Sequence, residues 1–149
     1  MPEIDIERLK TALVRDEGFR GHAYQCSEGF WTIGIGRLID EDQGGSISEG
    51  EARMLLENDL QKFFRELDRN LDWWRELPAA AQEGLVNMCF NMGWPRLSQF
   101  SNMLAALQAG EYEVAAAEAL DSRWAEQVGA RSERIAEMFR SCEIKGAAI

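Results

Sequence analysis

The spacing of apolar residues changes once near the start of the chain, at Gly18, from a helical period to a strand-like one. Ile6, Leu9, Leu13 and Val14 recur at helical intervals with charges between them, which predicts an amphipathic helix over residues 5–16. Gly18 is a natural C-terminal stop. From Phe19 to Leu38 the strand formers Tyr24, Phe30, Trp31, Thr32, Ile33 and Ile35 are interrupted by Gly21, Gly29, Gly34 and Gly36. Ser27-Glu28-Gly29 reads as the turn of a small, twisted antiparallel sheet whose glycines permit close backbone approach. This order places the Glu17 carboxylate at a helix–sheet junction, where a cleft can form.

The rest of the chain reads as helix. Asp40 to Ser48 is polar, contains Gly44-Gly45 and predicts a loop. Ser48-Glu49-Gly50-Glu51 is a capping box: the Ser48 side chain caps and Glu51 reaches back. The long helix it opens runs to about residue 70. Pro78 suits a first helical turn, so a further helix is expected over 78–92, broken by Gly93-Trp94-Pro95. Shorter helices are expected at roughly 98–109, 112–121 and 131–142, punctuated by Gly110 and Gly129. The tail from Lys145 is expected to fray. Trp73-Trp74 reads as helix packing or lobe surface rather than a sugar platform.

Composition narrows the functions open to this fold. A chain of 149 residues fits one domain, or one domain with two lobes, and an apolar fraction of 46% supplies a core. No apolar run is long enough to span a membrane, and the acidic stretch Met1 to Glu7 lacks the apolar region of a secretion signal. Three cysteines, Cys26, Cys89 and Cys142, with no CxxC spacing argue against a disulfide framework and a zinc site. The single histidine, His22, excludes a multi-histidine metal site and reads as hairpin surface. No cofactor is expected. A net charge of −10 argues against nucleic acid as a partner, although Arg123, Arg131, Arg134 and Arg140 gather late in the chain.

The segment from Glu17 to Arg37 resembles the catalytic signature of the phage-type lysozymes, glycoside hydrolase family 24. Glu17 is followed by Cys26, by Thr32, and by Gly34-Ile35-Gly36 at the signature's spacing. Val86-Asn87-Met88-Cys89-Phe90-Asn91-Met92-Gly93 resembles the family's cleft-floor helix, and Ser122-Arg123-Trp124 and Arg131-Ser132-Glu133-Arg134 resemble its C-terminal segments. The match runs over roughly residues 5–142. It implies a predominantly helical α+β, lysozyme-like fold in a single domain. A small sheet-bearing lobe over about 17–58 and a larger helical lobe over about 70–142, which also takes in the N-terminal helix, would be joined by the long helix.

Glycosidic cleavage generally uses an acid that protonates the leaving oxygen and a second group that manages the nucleophile or its water. The resemblance makes Glu17 the acid. At position 26 many family members carry a catalytic aspartate, and this chain carries cysteine. A free thiol titrates near about 8.5 and an aspartate near about 3.9, so a neutral thiol does not supply the same charge. A thiolate could act as nucleophile or base if positive charge lies near it; Arg20 and His22 are close in sequence. Glu28 could supply the missing carboxylate instead. Thr32 resembles the family's water-positioning threonine, and a hydroxyl can both donate and accept. Asn87, Phe90 and Arg131 are expected to line the cleft, with Arg131 beside the catalytic glutamate. Ala52, Leu55, Leu56, Asp59 and Phe63 share one helical face, and a carboxylate on an apolar stripe calls for a partner. The family pairs a hairpin-end histidine with a helix aspartate at positions 37 and 59, so Arg37 and Asp59 are expected to form a structural ion pair.

The resemblance thus implies a muramidase that cleaves the β-1,4 bond between N-acetylmuramic acid and N-acetylglucosamine. A lytic transglycosylase using Glu17 alone, and an inactive peptidoglycan-binding protein on the same fold, are the alternatives. Its partner would be bacterial peptidoglycan. A monomer is expected, held in the host cytoplasm until a separate membrane-permeabilising holin releases it to the cell wall.

Overall fold

The computed structural model of the chain describes residues 3–147, with side chains described as far as Cys142. It is predominantly helical with a small three-stranded antiparallel sheet, as the lysozyme-like reading requires. The chain divides into two compact units, residues 1–55 and 56–149. The N-terminal helix, expected with the helical lobe, groups with the sheet. It runs into the first strand through only Gly18 and Phe19.

In the first unit, α1 (Ile6–Glu17) begins at Asp5, whose carboxylate accepts the Arg8 amide at 3.0 Å. Gly18, at φ 74°, ends it and turns the chain into β1 (Arg20–Gln25). β2 (Trp31–Gly34) and β3 (Arg37–Leu38) complete a sheet of order β1-β2-β3. Tyr24 pairs with Thr32 and Gln25 with Trp31, while the register shifts between Arg20 and Tyr24. The predicted turn forms at Ser27-Glu28-Gly29 and is closed by the Cys26 amide donating to the Phe30 carbonyl at 2.9 Å. The loop after β3 contains a single 3-10 turn, Glu41–Gln43.

The long helix α2 (Glu49–Asn70) opens on the expected capping box. Ser48 Oγ accepts the Glu51 amide at 3.1 Å, and Glu51 Oε1 accepts the Ser48 amide at 2.8 Å. The same carboxylate takes Arg37, whose Nη2 lies 2.6 Å from Oε2 and whose Nη1 donates to Oε1 at 2.9 Å. The expected pairing of Arg37 with Asp59 is therefore corrected: Arg37 is occupied by Glu51. The premise behind Asp59 also fails. Its side chain is 46% exposed and makes a loose 3.8 Å pair with Lys62 one turn on, so water solvates it. Glu51 is better placed because its cap already fixes it beside the end of the hairpin.

The second unit is built on α3 (Ala79–Met92), α4 (Trp94–Leu97), α5 (Ser101–Ala109), α6 (Tyr112–Leu120), α7 (Arg123–Val128) and α8 (Ala130–Ala147). Its core contains fully buried Leu67, Leu85, Met88, Leu97, Met103, Leu107, Ile135 and Phe139. α3 and α8 approach closely at Gly84, where a β-carbon would come within 2.7 Å of the Phe139 ring. Trp74 is 2% exposed, stacks on Phe64 and donates its indole N–H to Asp68, so it packs as the sequence reading held. Pro78 stands just before α3, and Pro95 lies inside the first turn of α4, so the expected break there is itself a short helix. α7 was not foreseen; Ser122 caps it through the Ala125 amide at 3.1 Å. α8 continues to Ala147, into the segment expected to fray, and residues 148 and 149 of that segment lie outside the described residues.

Glu51 carries the clearest pH signature of the fold. Its carboxyl is held down from an ordinary 4.5 to about 2, first by the Arg37 hydrogen bond and then by the Ser48 backbone and side chain. A depressed carboxyl stabilises the folded state above its unfolded value, and that contribution is lost as pH falls through the folded value. Glu51→Gln is expected to lower the melting temperature at neutral pH. The gap from the parent should narrow as pH drops from 4.5 towards about 2. Asp59→Asn should leave the melting curve within about 0.5 kcal/mol of the parent, as surface changes do.

Candidate active site

The site of the first unit is assembled by a glycine. Glu17 is the last residue of α1, and its carboxyl lies directly against the backbone of Gly36, just before β3. A β-carbon at position 36 would sit 3.0 Å from Glu17 Oε2 and 3.1 Å from Cδ. Gly36 also has φ +70°, in the left-handed region that side chains disfavour. Backbone geometry and space thus ask for the same residue.

Cys26, the first residue after β1, meets Thr32 of β2 at the end of the sheet. Thr32 faces the same side as its pair Tyr24, and Cys26, two residues beyond Tyr24, returns to that side. Thr32 is 4% exposed and donates its hydroxyl proton to the Phe30 carbonyl at 2.9 Å, which leaves its lone pairs as acceptors. Cys26 is a free, half-buried thiol. Its proton affinity is lowered from the ordinary value, mainly by hydrogen bonding to the Phe30 backbone and then to the Glu28 backbone. The Thr32 hydroxyl adds a smaller lowering, while desolvation and the Glu28 charge oppose it. The cause differs from the one sequence proximity suggested. No cation contributes, and the Arg20 guanidinium lies over the Tyr24 ring, 4.6 Å from its centroid. Glu28 sits close enough to be felt electrostatically, on the exposed turn.

Three residues singled out in the second unit line one cleft. Asn87, Phe90 and Arg131 share a cavity of about 480 Å³ with Leu60, Phe64 and Val86. Asn87 and Phe90 stand one turn apart on α3. Arg131, in the first turn of α8, donates from Nε to Asn87 Oδ1 at 2.9 Å. Phe90 is 41% exposed and meets the Phe63 ring edge-on at 5.4 Å. The guanidinium is oriented by a neutral amide, so the contact leaves its charge unneutralised. A neighbouring bond escaped the sequence reading. Trp124 donates its indole N–H to Asn91 at 2.7 Å, joining the two family-like segments. Among the described residues no cluster of histidine, cysteine or carboxylate could hold a metal ion.

Gly36→Ala should displace the Glu17 carboxyl while the remainder of the hairpin survives. A crystal structure of the variant, or the side-chain carboxyl NMR shift of Glu17, would report it. A folded variant with Glu17 unmoved would show that the contact is incidental.

The comparisons with known proteins bear on the family of the chain. A family model described as phage lysozyme matches residues 14–138. The pre-baseplate central spike protein Gp5 of Enterobacteria phage T4 is 32% identical over 85% of this chain, which spans 26% of that protein. The probable T4-type lysozyme 2 of Dictyostelium discoideum is 27% identical, covering 94% of this chain and 98% of its own length. An endolysin of Acyrthosiphon pisum secondary endosymbiont phage 1 is 29% identical over 75% of each chain. The matched region takes in Glu17, the whole sheet, α3 and the first half of α8, and the chain belongs to the phage lysozyme family of glycoside hydrolases.

Proposed function

We propose that this chain is a peptidoglycan hydrolase of the muramidase type, cutting the β-1,4 bond between N-acetylmuramic acid and N-acetylglucosamine in bacterial cell-wall lysis. The observation that carries the reading is the Glu17 carboxyl resting on Gly36, in the turn between β2 and β3 of the sheet that holds Thr32, with Cys26 just beyond the end of β1. Related proteins named as T4-type lysozyme and endolysin support it.

The chemistry follows from the groups present. Glu17 gives its proton to the leaving oxygen as the bond from that oxygen to the anomeric carbon breaks. The bonding pair stays on the oxygen, and positive charge develops at the sugar. A water held by the Thr32 lone pairs attacks the anomeric carbon and loses a proton to the Cys26 thiolate. Solvent then returns a proton to Glu17 and takes one from Cys26. The backbone hydrogen bonds that lower the thiol's proton affinity raise the thiolate share available for this step. Asn87, Phe90 and Arg131 serve as glycan-binding groups, the aromatic face taking a sugar ring and the guanidinium an anionic or carbonyl oxygen.

No helix among the described residues is long and apolar enough to cross a membrane. The relatives named endolysin support a further reading, in which a separate membrane-permeabilising holin releases the chain, a monomer, from the host cytoplasm to the wall.

Product mass spectrometry on purified peptidoglycan tests the reading. Hydrolysis yields reducing ends, transglycosylation yields anhydromuramic ends, and a binding protein yields no fragments. Reducing ends are expected. A folded Glu17→Gln protein should give none, and Cys26→Ala should be slower by about 100-fold or more, the range of a lost acid or base. Cys26→Asp should retain activity. Full activity in Cys26→Ala would pass the second role to Glu28 or remove the need for one.

A further inference from the structure

Arg20, like Arg8, has no carboxylate partner among the described residues, while Arg15, Arg37 and Arg53 of the same unit each pair with one; of the two, Arg20 is the one on the strand that leads to Cys26. Its guanidinium lies over the Tyr24 ring, 4.6 Å from the centroid. The register shift between these two residues bends the strand, and such a bulge re-aims side chains. Tyr24 pairs with Thr32, so the ring and the cation over it share the face of Cys26 and Thr32. Two strand residues separate the Cα atoms of Tyr24 and Cys26 by about 7 Å.

A guanidinium laid on a ring keeps its N–H edge free, and that edge matches a carboxylate in two-point fashion. Stacking also reduces the rotamer freedom lost on binding. The chain carries a net charge of −10, so attraction to an anionic polymer must come from local cations. We infer that Arg20, stacked on Tyr24 beside Cys26 and Thr32, is a specificity-determining residue that engages a carboxylate on the peptide substituent of the glycan. The inference rests on the hydrolase reading above. It makes the enzyme a reader of the peptide as well as of the sugar backbone.

Binding calorimetry in the non-cleaving Glu17→Gln background tests it. Two soluble glycan fragments of equal length are compared, one bearing its stem peptides and one stripped of them. The peptide-bearing fragment should bind more tightly. Arg20→Gln should remove that preference, about tenfold or more for a charge-assisted hydrogen bond, and leave the stripped fragment unaffected. Arg20→Lys should restore part of the preference, because it returns the charge without the planar fork. Tyr24→Leu should weaken binding of the peptide-bearing fragment alone. A preference that survives Arg20→Gln, an equal loss for both fragments, or no preference in the background protein overturns the inference. Binding of neither fragment overturns the hydrolase reading and this inference with it.

Discussion

A carboxyl group packed over the Cα of a residue, on the side where its β-carbon would stand, needs glycine at that position. Gly36 provides such a place for Glu17, within 3.0 Å of where a β-carbon would stand. The contact joins the end of α1 to the turn before β3. Gly18 stops α1 with Glu17 as its final residue, and the strands return the chain until Gly36 lies beneath it. A helix end and a loop between two strands, nineteen positions apart in sequence, become one surface because one residue contributes nothing but backbone.

The second constraint is the turn between β1 and β2. A cysteine has no charge of its own at low pH, and ionising it requires something to stabilise the thiolate. Here that support comes chiefly from the Phe30 and Glu28 backbone, with no cation enlisted. Backbone donors are fixed by the fold, so the effect is built into the turn. It leaves Arg20 uncommitted to Cys26 and held by Tyr24 instead. Cys89 shows the opposite environment: buried in the core of the second unit, its thiol is pushed up to about 11, chiefly by desolvation.

Much of the fold was legible in sequence because the signals were local. The period change at Gly18, the Ser48–Glu51 capping box and the cap at Gly110 each act within a few residues, and each forms as read. α4 and α7 were missed because helices of four and six residues are too short to show a period. The partner of Arg37 was misread for another reason. Sequence shows that a charge needs a partner but not which of several carboxylates geometry presents. Glu51 was recognised as a cap, and a cap already satisfied does not advertise a second bond. Asn87, Phe90 and Arg131 were nameable only through the family motif, because a hydrogen bond spanning 44 residues has no local trace. Arg20 over Tyr24 depends on a register shift that no spacing rule reveals.

The central claim is that the hairpin backbone makes Cys26 a more acidic thiol that takes part in bond cleavage. The rate of Cys26 alkylation, followed by peptide mapping across pH and matched to residual peptidoglycan cleavage, tests it most directly. Alkylation of Cys26 should rise with a midpoint below that of an ordinary thiol, near about 8.5, and activity should fall in step with the fraction modified. Buried Cys89 and Cys142 should stay unmodified in the folded protein. A midpoint at or above the ordinary value, or full activity in protein completely alkylated at Cys26, would contradict it.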